Sequence, residues 1–138
     1  MGARKREYAD RRKEANKEKA FAILHNCPTS PQKMRYVVDL IRGVEVNKAL
    51  DILKFSNKSA SENVGKLLRS AISNWQVKNS GVRIEDSNLI VKEAFVDGGM
   101  MAKRLRTAPQ GRAYRIRKRS NHVTLVLESA LNVETQTK

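Results

Sequence analysis

The stretch between Asp97 and His122 holds the side chains best suited to chemistry in this chain of 138 residues. It has no carboxylate between its ends and contains eight bases, which are Lys103, Arg104, Arg106, Arg112, Arg115, Arg117, Lys118 and Arg119. Arg can hold two phosphate oxygens at once and Lys offers a compact positive charge, so this run suits a polyanion. Tyr114 and His122 are rings of the kind that stack on unpaired RNA bases. We predict that these ten residues bind RNA, although a charge run can also be merely solvated.

The sequence APQG at 108–111 has the pattern of a turn midway along this basic stretch. Proline presets φ at the second turn position, and glycine tolerates a positive φ. Pairing of the two halves predicts a β-hairpin over 97–122 with arms of about 12 residues, which would reach roughly 40 Å at about 3.3 Å per residue. An isolated ribbon is marginal in water, and like charges such as Arg104 and Arg115 would repel. We therefore expect an acidic partner to hold the hairpin.

The net charge of +14 is concentrated in two short segments. Residues 103–119 carry eight bases and no acid, and residues 1–19 carry eight bases and four acids. Residues 20–102 carry eleven bases and eight acids, so the longest segment is nearly neutral. This division indicates a protein that folds on a neutral core and uses basic appendages to bind a polyanion.

The nearly neutral segment has the patterns of helices and strands. A hydroxyl residue followed by proline at 30–31, apolar residues at three- and four-residue intervals, and then Gly43 predict a first helix. Asn47 can cap a short second helix, and Asn57 a longer third one in which Trp75 is expected to pack in the core. Three apolar runs predict strands, at 20–24, 89–96 and 123–127. The expected fold is α+β, with three helices packed on a small three-stranded antiparallel sheet and a long protruding basic β-hairpin.

We expect three parts along the chain: a basic N-terminal extension at 1–19, a single domain at 20–128 that includes the hairpin, and a C-terminal tail at 129–138. Bases alternate with acids in the extension, so a solvated helix is one interpretation. Our prediction is a segment that is disordered when free and orders on RNA.

Four residues around the first helix are also expected to bind RNA, with a solvated helix face as the alternative. They are Ser30, Lys33, Arg35 and Arg42.

No group of residues predicts catalysis, a metal site or a cofactor. His25 and His122 lack the neighbouring carboxylates and cysteines that a triad or metal site needs. Glu85 and Asp86 lie in a polar stretch typical of a connecting loop. Cys27 is the single cysteine, which excludes an intramolecular disulfide. Because no apolar run approaches the roughly 18 to 20 residues of a membrane span, and no signal-peptide pattern occurs, we expect a cytoplasmic protein without membrane insertion.

Eight blocks of sequence occur in an order that matches a known family. They are SPQKMR at 30–35, VDLIRG at 38–43, ALDIL at 49–53, SAISN at 70–74, FVDGG at 95–99, KR at 103–104, GRA at 111–113 and KRSNH at 118–122. Across roughly 20–128 the chain resembles the uL22 family of bacterial large-subunit ribosomal proteins. Several blocks in order are far more specific than any one block alone.

The resemblance implies a domain seated on the 23S-type rRNA near the mouth of the peptide exit tunnel, with its hairpin running inward as part of the tunnel wall. It implies a role in subunit assembly, a place on the cytoplasmic ribosome, and three partners: large-subunit rRNA, neighbouring ribosomal proteins and the nascent polypeptide. The tunnel-lining tip would comprise Arg106, Thr107, Ala108, Pro109, Gln110, Gly111 and Arg112. The family's usual tip reads approximately PRAKGRA, whereas 107–113 here reads TAPQGRA, so this tip is less basic.

Two other functions stay open at this point. A free basic DNA- or RNA-binding architectural protein could use the ribbon in a groove, but the sequence shows no heptad segment that would form a dimer. An RNA-processing enzyme would need an acid/base or metal constellation, and the sequence offers none.

Overall fold

The computed structural model describes residues 3–80, 82 and 87–129. In chain order its elements are α1 (Ala3–Glu18), β1 (Ala20–Cys27), α2 (Pro31–Ile41), α3 (Val46–Phe55), α4 (Ser59–Lys78), β2 (Leu89–Thr107) and β3 (Ala113–Ser129). The strands form an antiparallel sheet in the order β1-β3-β2. The predicted α+β fold is thus confirmed. Glu85, Asp86 and residues 130–138 lie outside the described residues.

Helices α2, α3 and α4 each have an apolar face that packs into the core. In α2 the buried residues are Met34, Val37, Val38 and Ile41. Trp75 of α4 is buried, as its spacing predicted. Helices α3 and α4 begin at Val46 and Ser59 instead of directly after Asn47 and Asn57. Neither helix has a side-chain capping bond, so packing of the apolar faces determines where they begin.

The core lies between these helices and one face of the sheet. Its largest fully buried side chains include Met34, Ile41, Leu68 and Leu125. The alternate strand residues point to the other face, where Phe21 and Phe95 are 38% and 43% exposed. The sheet therefore has one buried and one open face, as antiparallel sheets commonly do.

Strands β2 and β3 continue beyond the body as one long hairpin. The sequence predicted strands that end at Val96 and restart at Val123, with a hairpin between them. In the structure the ladder runs without a loop from the body to the hairpin, through the pair Asp97 and His122 and on to Thr107 and Ala113. We call residues 97–122 the arm. Eleven residues from Asp97 to Thr107 give the arm a reach of about 35 Å at about 3.3 Å per residue.

The N-terminal extension forms helix α1, so the described chain has four helices where three were predicted. The structure also differs from the disordered segment that was predicted for this extension. The described side chains of α1 are exposed, and Asp10 pairs with Lys13 at 3.6 Å. Lys78 Nζ donates to the carbonyl oxygens of Asn16 and Lys19, and a cation is favourable at a helix C-terminus. No helix among the described residues is long and apolar enough to cross a membrane.

Candidate nucleic-acid interface

The register of the arm places Lys and Arg side chains on both faces of the ribbon. Directly paired residues share a face, and successive residues alternate between faces. On one face lie Lys103, Arg115, Arg117 and Arg119, together with Met101 and Leu105. On the opposite face lie Arg104, Arg106 and Lys118, together with Ala102, Tyr114 and Ile116. Arg112 is at the turn. A partner that contacted only one face would leave about half of these Lys and Arg side chains without a contact. The arm is therefore suited to a partner that encloses it.

All eight arm bases are exposed, and none forms an ion pair with a carboxylate of the described residues. Lys103 lies directly opposite Arg117, a like-charge pair that destabilises the ribbon. The pair predicted to repel, Arg104 and Arg115, is not directly opposed, because Arg104 faces Ile116. Repulsion therefore exists on the arm, but at a different pair. Counter-charge from outside the protein would relieve it.

The tip is a tight turn that is shifted by one residue from the predicted one. Gln110 and Gly111 are the two central residues, with φ of 61° and 69°, and the Arg112 amide donates to the Pro109 carbonyl at 3.4 Å. Positive φ at both central positions is the type I′ pattern that suits hairpins. Because Pro109 has no N–H, the Ala108 amide donates to the Arg112 carbonyl instead, at 2.9 Å. Proline thus precedes the central residues and does not occupy the second turn position.

Two β-bulges meet where the arm joins the body. The pairing of β1 with β3 shifts between Leu24 and Cys27, and the pairing of β2 with β3 shifts between Gly98 and Met101. A bulge inserts an extra residue, bends its strand and increases the local twist. The direction in which the arm leaves the body is therefore determined here.

Side chains pack tightly around these bulges, in a region that we call the neck and define as Thr29, Gly99, Ser120 and Asn121. Asn121 is fully buried, and its Nδ2 donates to the Thr29 carbonyl at 2.7 Å and to Thr29 Oγ1 at 2.8 Å. Ser120 Oγ donates to the Met100 carbonyl. A Cβ at Gly99 would lie 2.7 Å from Ser120 Oγ and 3.2 Å from the Asn121 amide nitrogen. A side chain at position 99 would therefore require atoms of the neck to shift.

His122, predicted to stack on a base, is part of the packing beside the neck. Its Nδ1 accepts a hydrogen bond from the Asn26 amide at 3.1 Å, and its ring lies edge-on to His25 with 5.4 Å between centroids. The ring is half-buried, in contrast to Tyr114, which is 64% exposed. Of the two predicted stacking rings, Tyr114 is the accessible one.

The predicted residues around α2 divide into two groups. Arg35 Nη2 donates to the Val96 carbonyl at 3.1 Å. Arg42 donates to the Ala94 carbonyl at 2.6 and 3.0 Å and pairs with Asp39 at 2.9 Å. Both arginines thus fasten α2 to β2. Lys33 is exposed and Ser30 is half-buried, and the Ser30 side chain makes no capping bond.

Sequence reasoning missed the neck. Asn121 sits in the block KRSNH, where only its neighbours have charge or rings to draw attention. The pair Gly98 and Gly99 was a signal that could have been used, because glycines within a strand often mark a bulge or a close approach.

Comparisons with known proteins identify the family of this chain. A family model described as Ribosomal protein L22p/L17e matches residues 22–128, which include most of the sheet and the whole arm. The large ribosomal subunit protein uL22 of Flavobacterium johnsoniae is 64% identical over 135 residues, which is 98% of this chain and 98% of that protein. The uL22 proteins of Bacteroides fragilis and Porphyromonas gingivalis are 60% and 59% identical, over 99% and 96% of this chain and 99% and 98% of theirs. The chain therefore belongs to the ribosomal protein uL22 family and is a structural protein of the large subunit of the cytoplasmic ribosome, not an enzyme.

Proposed function

We propose that the chain binds the 23S-type rRNA of the large subunit by inserting its arm between RNA segments, and that it thereby supports subunit assembly. We also propose that the tip lines the peptide exit tunnel and contacts the nascent polypeptide. The observation that carries the proposal is the arm itself. The arm reaches about 35 Å at about 3.3 Å per residue. It has Lys and Arg side chains on both faces, and none of them is paired with a carboxylate of the described chain.

The mechanism is electrostatic and geometric. RNA segments that converge on one place repel each other, and a cationic ribbon between them neutralises phosphates on two sides at once. Each neutralised phosphate releases counterions, which contributes about −0.7 to the slope of log K against log salt. Eight arm bases would give a slope on the order of −6.

Other residues contribute to the proposed contact according to their exposure. Tyr114 is free to stack on an unpaired base, and Lys33 is free to reach a phosphate. Arg35 and Arg42 already donate to strand carbonyls, so they would contact RNA only through their remaining N–H groups. Ser30 and His122 are half-buried and would act at the edge of the contact.

The tip has a chemistry that differs from that of the rest of the arm. No Lys or Arg lies between Arg106 and Arg112. The residues there are Thr107, Ala108, Pro109, Gln110 and Gly111. A largely uncharged, exposed tip is suited to a surface past which chains of varied sequence move, because it forms no strong ion pairs with them.

A photo-cross-linking amino acid at position Gln110 tests the tunnel assignment. Ribosomes that carry the substituted protein and a short, stalled, radiolabelled nascent chain are irradiated. We expect a cross-link between position 110 and the nascent chain, because the tip is the part of the protein farthest from the body. The matched control places the same group at Lys48, which is exposed on α3. Absence of the cross-link from position 110, or equal cross-linking from both positions, would contradict the tunnel assignment.

A further inference from the structure

The side chain of His122 lies between the two bulges at the base of the arm. Its Nδ1 accepts a hydrogen bond from the Asn26 amide at 3.1 Å, inside the bulge between Leu24 and Cys27 of β1. Its Nε2 lies 3.2 Å from the position that a Cβ at Gly99 would occupy, in the bulge of β2. One ring on β3 therefore lies against the irregular segments of both neighbouring strands.

The hydrogen bond from Asn26 determines the protonation state of His122. A backbone N–H can only donate, so Nδ1 carries a lone pair, and the proton of the neutral ring is on Nε2. A charged imidazolium has an N–H at both nitrogens, so it would direct one N–H at the other. The bond from Asn26 therefore requires a neutral His122. Asn26 has a φ of 53°, which is uncommon for a residue other than glycine, so this bond helps to hold the bulge of β1.

A different partner for a charged His122 lies on the other neighbouring strand. Asp97 is directly opposite His122 in the ladder of β2 and β3, and both residues are on the open face of the sheet. The Asp97 side chain is exposed and forms no ion pair with a base of the described chain. A carboxylate attracts an imidazolium far more strongly than a neutral ring. The neutral ring thus has a partner on β1, and the charged ring would have one on β2.

The other ionisable groups near the ring favour the same movement or are more distant. His25 of β1 is edge-on to His122 with 5.4 Å between centroids, so it would repel a charged His122 when it is charged too. Helices α2, α3 and α4 pack on the opposite face of the sheet, away from the ring. The charged residues that come next along β2 and β3 are Glu93, Lys103, Arg119 and Glu128. Protonation therefore favours movement of the ring away from β1 and toward Asp97.

We propose that His122 is a positioning residue for the arm and makes the direction of the arm depend on pH. The neutral ring joins the two bulges and holds the arm in the direction that the structure shows. Protonation moves the ring from Asn26 to Asp97, which is the first pair of the arm, and releases β3 from the bulge of β1. Histidine changes its charge between about pH 5 and pH 8, so the change in direction falls in that range. The inference does not depend on the proposed rRNA contact.

Nitrogen NMR of the full-length protein tests the role of the ring. At about pH 8 we expect the tautomer of His122 that has its proton on Nε2. At about pH 5 the protection of the Asn26 amide from hydrogen exchange, corrected for the intrinsic effect of pH, should fall about tenfold, as expected for the loss of a hydrogen bond. A proton on Nδ1 at the higher pH, or unchanged protection of Asn26 when the ring is charged, would overturn the inference.

The direction of the arm can be followed by pulsed electron paramagnetic resonance. Spin labels are attached to cysteines introduced at Lys48 on the body and Ala102 on the arm, which are both exposed, while the native Cys27 is buried. We expect the main distance between the labels to shift between about pH 8 and about pH 5. An identical distance distribution at both pH values would contradict the inference.

Three variants assign the response to its groups. His122→Asn offers an amide oxygen in place of Nδ1 and does not titrate, so it should keep the high-pH distance at both pH values. His25→Asn removes the other histidine and should keep the wild-type shift. Asp97→Asn should reduce the shift, although the Asn26 amide still loses its protection.

A wild-type shift in His122→Asn, or its loss in His25→Asn, would assign the response to another group and overturn the inference. The tautomer and the pH series of the protein with native His122 decide the matter even where a variant does not fold. No RNA is present in these measurements, so their outcome is separate from that of the proposed function.

Discussion

Replacing Arg112, Arg115, Arg117 and Arg119 with Gln is expected to reduce the slope of log K against log salt for large-subunit rRNA from about −6 to about −3. Three of these arginines lie on one face of the arm and Arg112 lies at its turn. None is paired with a carboxylate of the described chain, so each is free to displace a counterion. The measurement is a filter-binding or fluorescence titration at several salt concentrations.

The matched control replaces the same four arginines with lysine. Charge is retained, so the slope should stay near that of the wild type, while affinity falls because lysine lacks the fork that grips two phosphate oxygens. If the Gln variant kept the wild-type slope, the arm would not carry the binding. If both variants lost binding together with their folded circular-dichroism spectrum, the effect would lie in the fold instead.

Replacing Gly99 with Ala is expected to lower the free energy of unfolding by about 1 to 3 kcal/mol, which is the usual effect of overpacking. The new Cβ would lie 2.7 Å from Ser120 Oγ, and movement of that hydroxyl would break its bond to the Met100 carbonyl. The neck would then shift the arm relative to the body. We therefore also expect weaker rRNA binding than the stability loss alone would produce.

Gly98 offers a control at the adjacent position. A Cβ there meets no atom within 4 Å, so Gly98→Ala should change the free energy of unfolding by less than about 0.5 kcal/mol. Urea denaturation of the two variants gives the comparison. Equal stability of Gly98→Ala and Gly99→Ala would show that the neck is not packed as described.

The elements of the body could be predicted from the sequence because local patterns dominate there. Helix α2 begins at Pro31 and buries the apolar residues whose spacing predicted it. A basic hairpin was also predictable, since the lack of acids after Asp97 and a turn pattern near Gly111 are visible in the sequence, although the turn lies one residue later than predicted. A helix in the N-terminal extension was only the alternative to the predicted disordered segment, because α1 has no apolar face to give a helical pattern.

Some residues predicted to bind RNA also have partners within the protein, and these partners could not be predicted. Arg42 donates to the Ala94 carbonyl and pairs with Asp39. His122 accepts from the Asn26 amide. The strand carbonyl and amide involved are distant in sequence, so no local pattern indicates them.

The central claim is that RNA encloses the arm on both faces, and tethered hydroxyl-radical cleavage tests it most directly. Ala102 and Leu105 are exposed, uncharged and on opposite faces, so each can be replaced with Cys and labelled with an iron chelate, while the native Cys27 is buried. In assembled large subunits, we predict strong cleavage of 23S-type rRNA from both positions, at different nucleotides. Cleavage from one position only, or from neither, would contradict the account.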